Sequence, residues 1–397
     1  MTACRRLLLL TSEFDPFRGG IGTYARELAA AAAAMGDEVV VYAPDYGADQ
    51  TALDAGFPFE VIRYHGGPAT LAGLPGRVRS VAALMARRRF DIVHAIDWPF
   101  FLPLRMAVLR ERLFRRTTPK ILLTVHGSEI IYMQAPKRRV MLDATGFWRR
   151  GWATWIANSD YTRELLHRGL PRVARDDSVA IPLAVSDHWL EQRVDRVVGR
   201  ERMGLGEDSF VILSLGRVVP RKGHGVIAEA LASLPPEVMR HWKWWVVGPA
   251  IDEDFSAELR RKVAALPIEV EITGPLPFEE VRHRLAAADL FCLPGYQDEG
   301  GRVEGFGLVF IEAGAYGVPA LATRSGGIPE AVADGESGLL VAEHDVAAVA
   351  QAFERLADDK DLRARLSRGA RQKAEGMRWS DVAARTYGTG QAGEGEA

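Results

Sequence analysis

Two glutamates stand eight positions apart on either side of a Gly-Phe-Gly turn, in the segment RVEGFGLVFIEAG. If a helix begins near Gly307, Glu304 lies just before it and Glu312 lies in its second turn, roughly 12 Å further along the axis. The two carboxyl groups are then too far apart to act as acid and base on one atom. Between them lie backbone N–H groups at the positive end of the helix dipole, where phosphate binds well; they belong to Phe306, Gly307 and Leu308. This order fits a ligand with hydroxyls at both ends and phosphates in its middle, such as a nucleotide sugar, although the helix dipole alone also explains glutamates at a helix start.

The segment GRVVPRKG places two cations, Arg217 and Lys222, on a loop that follows an apolar run. An arginine offers a planar fork and a lysine a movable point charge, so the pair suits a diphosphate and can stabilise a departing phosphate. The segment does not match the P-loop pattern. Considered alone, the loop is equally well explained as a solvated basic turn.

A histidine ends another apolar run, and a glycine-rich turn follows the first one. His126 stands directly before Gly127 in the sequence VHGSE, a position where a histidine more often contacts a ligand than fills a core. Gly19 and Gly20, in the sequence GGIG, let a ligand approach the backbone at a helix start because glycine has no side chain. The GGIG spacing is not the dinucleotide-binding fingerprint, and a tight strand-to-helix turn explains it equally well.

Apolar runs and helical patterns alternate along the chain and must position these residues. In the first half the apolar runs are RLLLLTS, DEVVVYAP, DIVHAID and KILLTVHG; the order restarts near residue 209 with SFVILSLGR, WKWWVVGP, VEITG, DLFCLPG, VPALATRS and SGLLVAE. Near-continuous apolar strands joined by long crossovers predict parallel sheets covered on both faces. We therefore predict an α/β chain of two doubly wound domains, with a boundary near residues 183–208, where no strand pattern occurs. The candidate residues fall at the carboxyl ends of strands, where such sheets bind ligands.

Composition agrees with a globular chain of two domains. The chain has 397 residues, of which 48% are hydrophobic and 26% charged. Its two cysteines cannot form a disulfide framework, and we expect both Cys4 and Cys292 to be buried thiols within strands. The leucine run that begins at Leu7 is too short for a signal segment or a membrane span, which predicts a cytoplasmic location.

Positive charge is concentrated in the first half of the chain, although the net charge is −2. The basic clusters lie beside apolar stretches such as FLPLRMAVLRERLF; they comprise Arg87, Arg88, Arg89, Arg110, Arg112, Arg115, Arg116, Lys137, Arg138 and Arg139. Solvated helix faces explain most such clusters. The other interpretation is peripheral contact with the inner face of an anionic membrane, or with an acidic acceptor, because mixed basic and apolar helix faces bind such surfaces. We expect no nucleic-acid partner.

The motifs taken together resemble the retaining glycosyltransferases of the GT-B fold, family 4. The resemblance rests on GGIG, THGSE, GRVVPRKG, the E-x7-E pattern of VEGFGLVFIEAG, and GVPALATRSGGIPEAV. The stretch from residue 296 to residue 332 is especially similar to the GDP-mannose-dependent phosphatidylinositol mannosyltransferases. It implies two Rossmann-like domains facing a central cleft: residues 1–185 bind the acceptor, residues 186–375 bind the nucleotide sugar, and residues 376–397 form a closing helix that crosses back to the first domain, plus a tail.

The resemblance also implies a role for each candidate residue. Arg217 and Lys222 would bind the donor diphosphate, Glu312 the ribose hydroxyls and Glu304 the hydroxyls of the donor sugar. His126 would lie near the transferred sugar, and Gly19 and Gly20 would close on the phosphates and the acceptor. Backbone contacts would come from Phe306, Gly307 and Leu308, and, at the nucleobase, from Pro275 and Leu276 in the sequence TGPL.

The implied reaction moves a hexosyl unit, of the mannose or the glucose/GlcNAc type, from a GDP- or UDP-sugar to an acceptor hydroxyl. No carboxylate pair of the DxD type stands at a strand end, and Asp298 with Glu299 is a poor candidate, so we expect no metal and no other cofactor. Two alternatives remain from the sequence: a nucleotide-sugar epimerase of the same architecture, and a catalytically silent nucleotide-sugar binding protein. The acceptor, a lipid, a small metabolite or a glycan, is not identified by these motifs.

Overall fold

The structure, a computed structural model, describes residues 4–17, 19–47, 49–65 and 73–388. The chain divides into two compact units: unit 1 is Met1–Leu183 with Trp379–Ala397, and unit 2 is Ala184–Arg378. The units therefore change after Leu183 and after Arg378, against predicted boundaries after residues 185 and 375. The predicted tail, residues 391–397, lies outside the described residues.

Unit 1 is built on a parallel sheet that, over its described residues, has seven strands in the order β3-β2-β1-β4-β5-β6-β7. The strands are β1 Arg6–Leu10, β2 Glu38–Pro44, β3 Glu60–Tyr64, β4 Ile92–Ala95, β5 Lys120–Val125, β6 Thr154–Ala157 and β7 Ser178–Ala180. The helices before unit 2 are α1 Gly20–Ala34, α2 Thr51–Asp54, α3 Leu74–Arg87, α4 Phe101–Leu113, α5 Ser128–Gln134, α6 Pro136–Ala144 and α7 Asp160–Gly169, with short 3-10 turns at Trp98–Phe100 and Arg175–Asp177. Leucines 7 to 10 of β1 are all buried, because both faces of the sheet are covered.

Unit 2 is built on a second parallel sheet, with six strands among its described residues in the order β10-β9-β8-β11-β12-β13. Its strands are β8 Phe210–Leu215, β9 Trp242–Val247, β10 Glu269–Gly274, β11 Leu290–Cys292, β12 Ala320–Thr323 and β13 Gly338–Val341. Its helices are α8 Asp187–Glu191, α9 Arg196–Arg202, α10 His224–Ala232, α11 Glu253–Ala264, α12 Phe278–Ala287, α13 Leu308–Ala315, α14 Ile328–Ala331, α15 Val346–Asp358 and α16 Lys360–Glu375, with a 3-10 turn at Pro220–Lys222. The prediction of two parallel α/β sheets is confirmed.

The last helix, α17 Trp379–Tyr387, packs on unit 1. The Trp379 ring meets the edge of Tyr24 on α1 with ring centroids 5.7 Å apart. The Tyr387 hydroxyl is 3.1 Å from His94 Nδ1, and His94 Nε2 is 2.6 Å from the Thr124 hydroxyl, so a buried polar chain joins α17 to β4 and β5. This chain satisfies groups that would otherwise be buried without partners.

The two cysteines differ in their surroundings. Cys292 is a buried free thiol in β11, as expected, whereas Cys4 is exposed. The expectation was wrong for Cys4 because β1 begins only at Arg6, and its buried residues begin at Leu7.

Candidate active site: two strand-end clusters

Each sheet has one place where the strand order reverses, and several of the candidate residues follow the strands that meet there. In unit 2 the chain runs outward from β8 to β10 and then returns to place β11 on the other side of β8. In unit 1 the same reversal separates β1 from β4. Open parallel sheets bind ligands in the crevice at the carboxyl ends of such strands.

The cation-bearing loop after β8 is held against the segment that follows β11. The backbone N–H of Tyr296 donates to the carbonyl oxygen of Arg221 over 2.9 Å. Gly223 has a φ of 82°, and a Cβ there would lie 2.1 Å from the carbonyl oxygen of Pro294, so only glycine fits. These contacts fix the backbone on both sides of Lys222.

Lys222 and Glu304 form an ion pair at this position. Lys222 Nζ lies 2.5 Å from Glu304 Oε2, and the two side chains are only 12% and 24% exposed. Burial alone would raise the pKa of Glu304, but Lys222, followed by Arg221 and Arg217, outweighs burial and lowers it. The carboxylate is therefore ionised at neutral pH and can accept hydrogen bonds from hydroxyl groups.

The third member of this cluster, Arg217, is exposed, and within the described part of the chain it makes no hydrogen bond or ion pair. Arg221 is half-buried, and burial lowers the pKa of its guanidinium against the raising influence of Glu304. Arg221 was not predicted from the sequence, although it lies inside the GRVVPRKG segment. Its backbone contact with Tyr296 and its nearness to Glu304 identify it as part of the cluster.

The loop that carries Glu304 is fixed by close backbone contacts before α13 begins. Gly327 donates its N–H to the carbonyl oxygen of Glu304 over 2.9 Å, and a Cβ at Gly327 would meet the Gly305 oxygen at 2.0 Å. Gly307 caps α13 with a left-handed φ of 95°, and a Cβ there would meet the ring of Phe310 at 2.6 Å. Helix α13 therefore starts at Leu308, with Glu304 before it and Glu312 in its second turn.

Further predicted residues lie at the end of β10, on the same edge of the sheet. Pro275 and Leu276 follow Gly274, which ends β10 with a φ of 75°. The Gly274 carbonyl oxygen accepts from the Gly248 N–H over 2.9 Å, and a Cβ at Gly248 would lie 2.0 Å from the Gly216 oxygen. The ends of β8, β9 and β10 are thus tied together through glycine backbone, which leaves this edge without side chains in its path.

In unit 1 the glycine-rich turn is part of the start of α1. Gly19 is the N-cap in extended backbone, and a Cβ added to it would lie 2.4 Å from Glu13 Oε2. Among the described residues, a Cβ added to Gly20 would have no heavy atom within 4 Å. A side chain at Gly19 would require the Glu13 carboxyl group to move, whereas the described residues leave room for a ligand above Gly20.

His126 lies at the end of β5 and is held on both sides. Its backbone N–H donates to Glu129 Oε2 over 2.9 Å, and its ring nitrogen Nε2 lies 3.1 Å from the carbonyl oxygen of Ile96. Burial lowers the pKa of the imidazole, more than Glu129 raises it, so the ring is neutral at neutral pH. Because a carbonyl oxygen only accepts, Nε2 carries the proton and Nδ1 keeps a lone pair.

An aspartate that was not predicted as a site residue lies beside the β1–β4 reversal. Asp97 follows β4, is 1% exposed, and accepts hydrogen bonds from the backbone N–H of Ser12 and from its hydroxyl. Burial raises the pKa of Asp97 to about 7, which is more than the two Ser12 contacts offset. The signal was available, since DIVHAID ends a strand with a carboxylate at the edge where ligands collect.

In the part of the chain that the structure describes, no helix combines the length and the apolar character that a membrane span needs. The same residues hold no group of three or more His, Cys, Asp and Glu side chains arranged to hold a metal ion.

Two known protein families match the chain, one over most of each unit. Residues 18–188 match the family described as Glycosyltransferase Family 4, and residues 198–373 match the one described as Glycosyl transferases group 1. The chain is 32% identical, over 96% of both sequences, to the GDP-mannose-dependent alpha-(1-6)-phosphatidylinositol monomannoside mannosyltransferase of Mycobacterium tuberculosis. It is 28% identical, again over 96% of both, to the corresponding enzyme for the monoacylated lipid in Corynebacterium glutamicum.

Among solved structures, a glycosyltransferase from Rickettsia africae matches 97% of both chains with a TM-score of 0.76 at 18% identity, a likeness of fold. Since both units match the family and one relative shares 32% identity over nearly the full length, this chain belongs to glycosyltransferase family 4 and is a glycosyltransferase of the GT-B fold.

Proposed function

We propose that the protein transfers mannose from GDP-mannose to a hydroxyl group of a phosphatidylinositol mannoside, with retention of configuration. The relatives that are similar over their full length carry this donor and this class of acceptor in their names. The observation that carries the proposal is the ion pair of Lys222 with Glu304, with Arg217 and Arg221 near the same carboxylate. One cluster then offers cations for a diphosphate and an ionised carboxylate for sugar hydroxyls.

On the donor side, the diphosphate takes Lys222 as a partner in place of Glu304. Arg217 adds a second cation, and the N-terminal amides of α13 add backbone donors. Glu304 is then available to accept hydrogen bonds from hydroxyls of the mannose. Glu312 holds the ribose hydroxyls, and the backbone of Pro275 and Leu276 contacts the nucleobase.

In the reaction step, the acceptor oxygen forms a bond to the anomeric carbon of mannose as the bond from that carbon to the β-phosphate oxygen breaks. The acceptor hydroxyl gives its proton to an oxygen of the departing β-phosphate. Attack and departure occur on the same face, so no carboxylate nucleophile takes part. Positive charge from Arg217 and Lys222 stabilises the GDP that leaves.

On the acceptor side, the neutral ring of His126 offers the Nδ1 lone pair to a hydroxyl near the transferred sugar. The space that the described residues leave over Gly20 gives room for a group of the ligand at this turn. Arg217, Arg221 and Lys222 supply the charge that a divalent cation supplies in other transferases, so we expect initial rates with excess EDTA to equal those with added magnesium. A loss of most activity in EDTA would contradict this expectation.

A lipid acceptor requires contact with a membrane, and the end of α4 fits that role. Leu113 and Phe114 are 78% and 59% exposed. The guanidinium carbons of Arg110 and Arg116 lie 5.9 and 6.0 Å from the Phe114 ring centroid. Exposed apolar side chains flanked by cations suit an anionic bilayer surface. We expect co-sedimentation with vesicles that contain phosphatidylinositol, and loss of it in the double variant Leu113→Ser, Phe114→Ser; equal binding by that variant would contradict the contact.

The decisive experiment incubates the protein with GDP-mannose, with and without phosphatidylinositol monomannoside, and follows GDP release and product anomer by NMR. Acceptor-dependent GDP release with an α-linked product supports the proposal. Conversion of the nucleotide sugar to an epimer without acceptor would favour an epimerase. Binding without either reaction would favour a silent binding protein, and a parallel series of UDP- and ADP-sugars tests the choice of donor.

A further inference from the structure

An arginine is stacked on a pair of aromatic rings at the carboxyl edge of unit 1. Trp98 follows β4, Tyr132 lies on α5, and their ring centroids are 5.6 Å apart with a tilt of 32°. The guanidinium carbon of Arg138, on α6, lies 4.8 Å from the Trp98 centroid and 5.3 Å from that of Tyr132. We call these three residues the Arg138 platform. The sequence pattern identifies Arg138 only as a member of a basic cluster and does not single out Trp98 or Tyr132.

The platform lies in the segments that directly follow the strands of the acceptor side. Trp98 is next to Asp97 and two residues beyond Ile96, whose carbonyl oxygen contacts His126. Tyr132 belongs to α5, the helix that follows His126. The platform therefore stands on the same strand-end edge as His126, in the unit where the proposed function puts the acceptor.

The geometry of the arginine leaves donors for a ligand. Arg138 Nη1 donates to the carbonyl oxygen of Tyr132 over 3.1 Å, and this is the hydrogen bond that orients the guanidinium over the rings. Arg138 is only partly buried, and Tyr132 is 44% exposed. An arginine that is already oriented by stacking loses little side-chain freedom when its other N–H groups bind a phosphate.

The surrounding charge favours an anion. Lys137 and Arg139, on either side in sequence, are exposed cations. An aromatic face beside a cation suits a ring with one apolar C–H face and a negatively charged substituent, which is the chemistry of a phosphorylated cyclitol or sugar. Free aromatic surface without a charge partner would not select such a ligand.

We propose that the Arg138 platform binds the phosphate of a phosphorylated polyol acceptor and packs an aromatic ring against the polyol, and so selects for a phosphorylated acceptor. This inference rests on the proposed function and deepens it by naming the acceptor group that is recognised. The phosphate comes either from the headgroup of a lipid or from a water-soluble phosphorylated polyol, and the two sources share the chemistry that Arg138 recognises.

The test compares two soluble acceptors that differ only in the phosphate, mannosyl-inositol and mannosyl-inositol phosphate, in transfer assays with GDP-mannose. For Arg138→Ala we expect KM for the phosphorylated acceptor to rise about tenfold, as loss of a charge-assisted contact predicts. KM for the acceptor without phosphate and KM for GDP-mannose should stay within about twofold. An equal rise for both acceptors, or no rise, would overturn the inference.

Matched variants separate stacking from charge. Arg87→Ala removes the same charge from the end of α3, at the amino edge of the sheet, and should leave both acceptor KM values unchanged. Arg138→Lys keeps the charge but loses the planar stack, so KM for the phosphorylated acceptor should remain raised. Tyr132→Leu removes an exposed ring, with little risk to folding, and should have the same direction of effect. If KM for the phosphorylated acceptor stays at the wild-type value in both Arg138→Lys and Tyr132→Leu, the inferred role of the Arg138 platform is wrong.

A third acceptor, phosphatidylinositol monomannoside in detergent micelles, distinguishes the source of the phosphate. A similar rise with the lipid and with the soluble headgroup assigns the contact to the headgroup phosphate. A rise with the lipid alone means that Arg138 contacts the lipid surface, which overturns the subsite.

Calorimetric titration of mannosyl-inositol phosphate, with GDP present, gives a readout besides activity. Binding that is lost in Arg138→Ala supports the subsite even if no transfer occurs; undetectable binding to the wild type overturns it. A wild type that binds the headgroup but transfers mannose to none of the acceptors contradicts the proposed function and not the subsite.

Discussion

Buried ionisable groups near the strand ends differ between the two units: the charged form is favoured in unit 2, and the neutral form is favoured in unit 1. In unit 2, Glu304 is a carboxylate whose pKa is lowered despite burial, because three cations lie near it. In unit 1, burial raises the pKa of Asp97 to about 7 and lowers the pKa of His94 to about 3. Asp97 accepts hydrogen bonds from Ser12, and no cation is among the groups that shift its pKa.

The difference shows that burial by itself does not decide the charge of a side chain; the countercharge does. Unit 2 keeps permanent charges and suits a ligand that carries permanent charge, as a diphosphate does. In unit 1, Asp97 is about half protonated at pH 7 and the rings of His94 and His126 are neutral, which suits hydroxyl groups. Four predictions test this contrast, from the largest expected effect to the smallest.

Removal of Arg217, the exposed cation of the Glu304 cluster, should have the largest effect. Arg217→Ala should lower kcat/KM by about 10²- to 10³-fold if, as proposed, this cation stabilises the leaving diphosphate. Arg217 makes no ion pair among the described residues, so the melting temperature should not change. Arg240→Ala is a matched control, since Arg240 is also exposed but precedes β9, at the amino edge of the same sheet. A kcat/KM close to the wild-type value in Arg217→Ala would contradict the claim that unit 2 uses permanent charge to bind its ligand.

Loss of the paired cation should change both the rate and its pH dependence. Lys222→Met should lower kcat/KM by about 10²-fold. It also removes the main influence that lowers the pKa of Glu304 against burial, so this pKa should rise. The acidic limb of the pH profile of kcat/KM should therefore move to higher pH. An unmoved limb, measured from pH 4.5 to pH 8, would mean that Glu304 does not set it.

Adding one methyl group in unit 1 should have a smaller effect. Gly20→Ala places a Cβ where no other described residue has an atom within 4 Å, so a loss of activity reports on a ligand rather than on folding. We expect kcat/KM to fall about tenfold, with an unchanged melting temperature. Gly76→Ala, in α3, likewise adds a Cβ that has no neighbour within 4 Å among the described residues, and it should leave kcat/KM unchanged. Full activity in Gly20→Ala would show that no ligand group approaches this turn.

Replacement of His94, a fully buried imidazole of unit 1, should change the pH dependence of stability. Burial, and then the charge of His126, lower the pKa of His94 from 6.5 to about 3, so between those values the unfolded chain binds a proton that the native chain does not. Stability should therefore fall as pH drops from 6.5 towards 3, by at most about 1.4 kcal/mol per pH unit from this group. His94→Gln should flatten the slope of melting temperature against pH in this range, whereas His241→Gln, at an exposed site, should not. An equal slope in His94→Gln and wild type would contradict the buried neutral state.

Most strands, and the residues at their ends, could be predicted from the sequence because local patterns determine them. Continuous apolar runs and glycine-punctuated turns predicted β1, β8 and β11 and the loops that carry Arg217 and Glu304. Strands β3, β6 and β7 were not predicted individually; they are short, with five, four and three residues, and charged or polar residues interrupt them.

The features that could not be predicted from the sequence depend on contacts between residues that are far apart along the chain. The contact between Gly223 and Pro294 and the hydrogen bonds from Ser12 to Asp97 join segments about 70 or more residues apart. The pKa of Asp97 follows from that burial, so no local pattern announces it. The Arg138 platform likewise brings together a turn and two helices whose aromatic residues look like ordinary core formers in the sequence.

The polar chain from Tyr387 through His94 to Thr124 has a consequence for synthesis on the ribosome. Residues 184–378 form one continuous stretch, so unit 2 can assemble as soon as they emerge. Unit 1 is interrupted: its sheet is made first, but α17, which supplies Tyr387 and Trp379, is made after all of unit 2. The half of the protein that is translated first is therefore the half that is completed last.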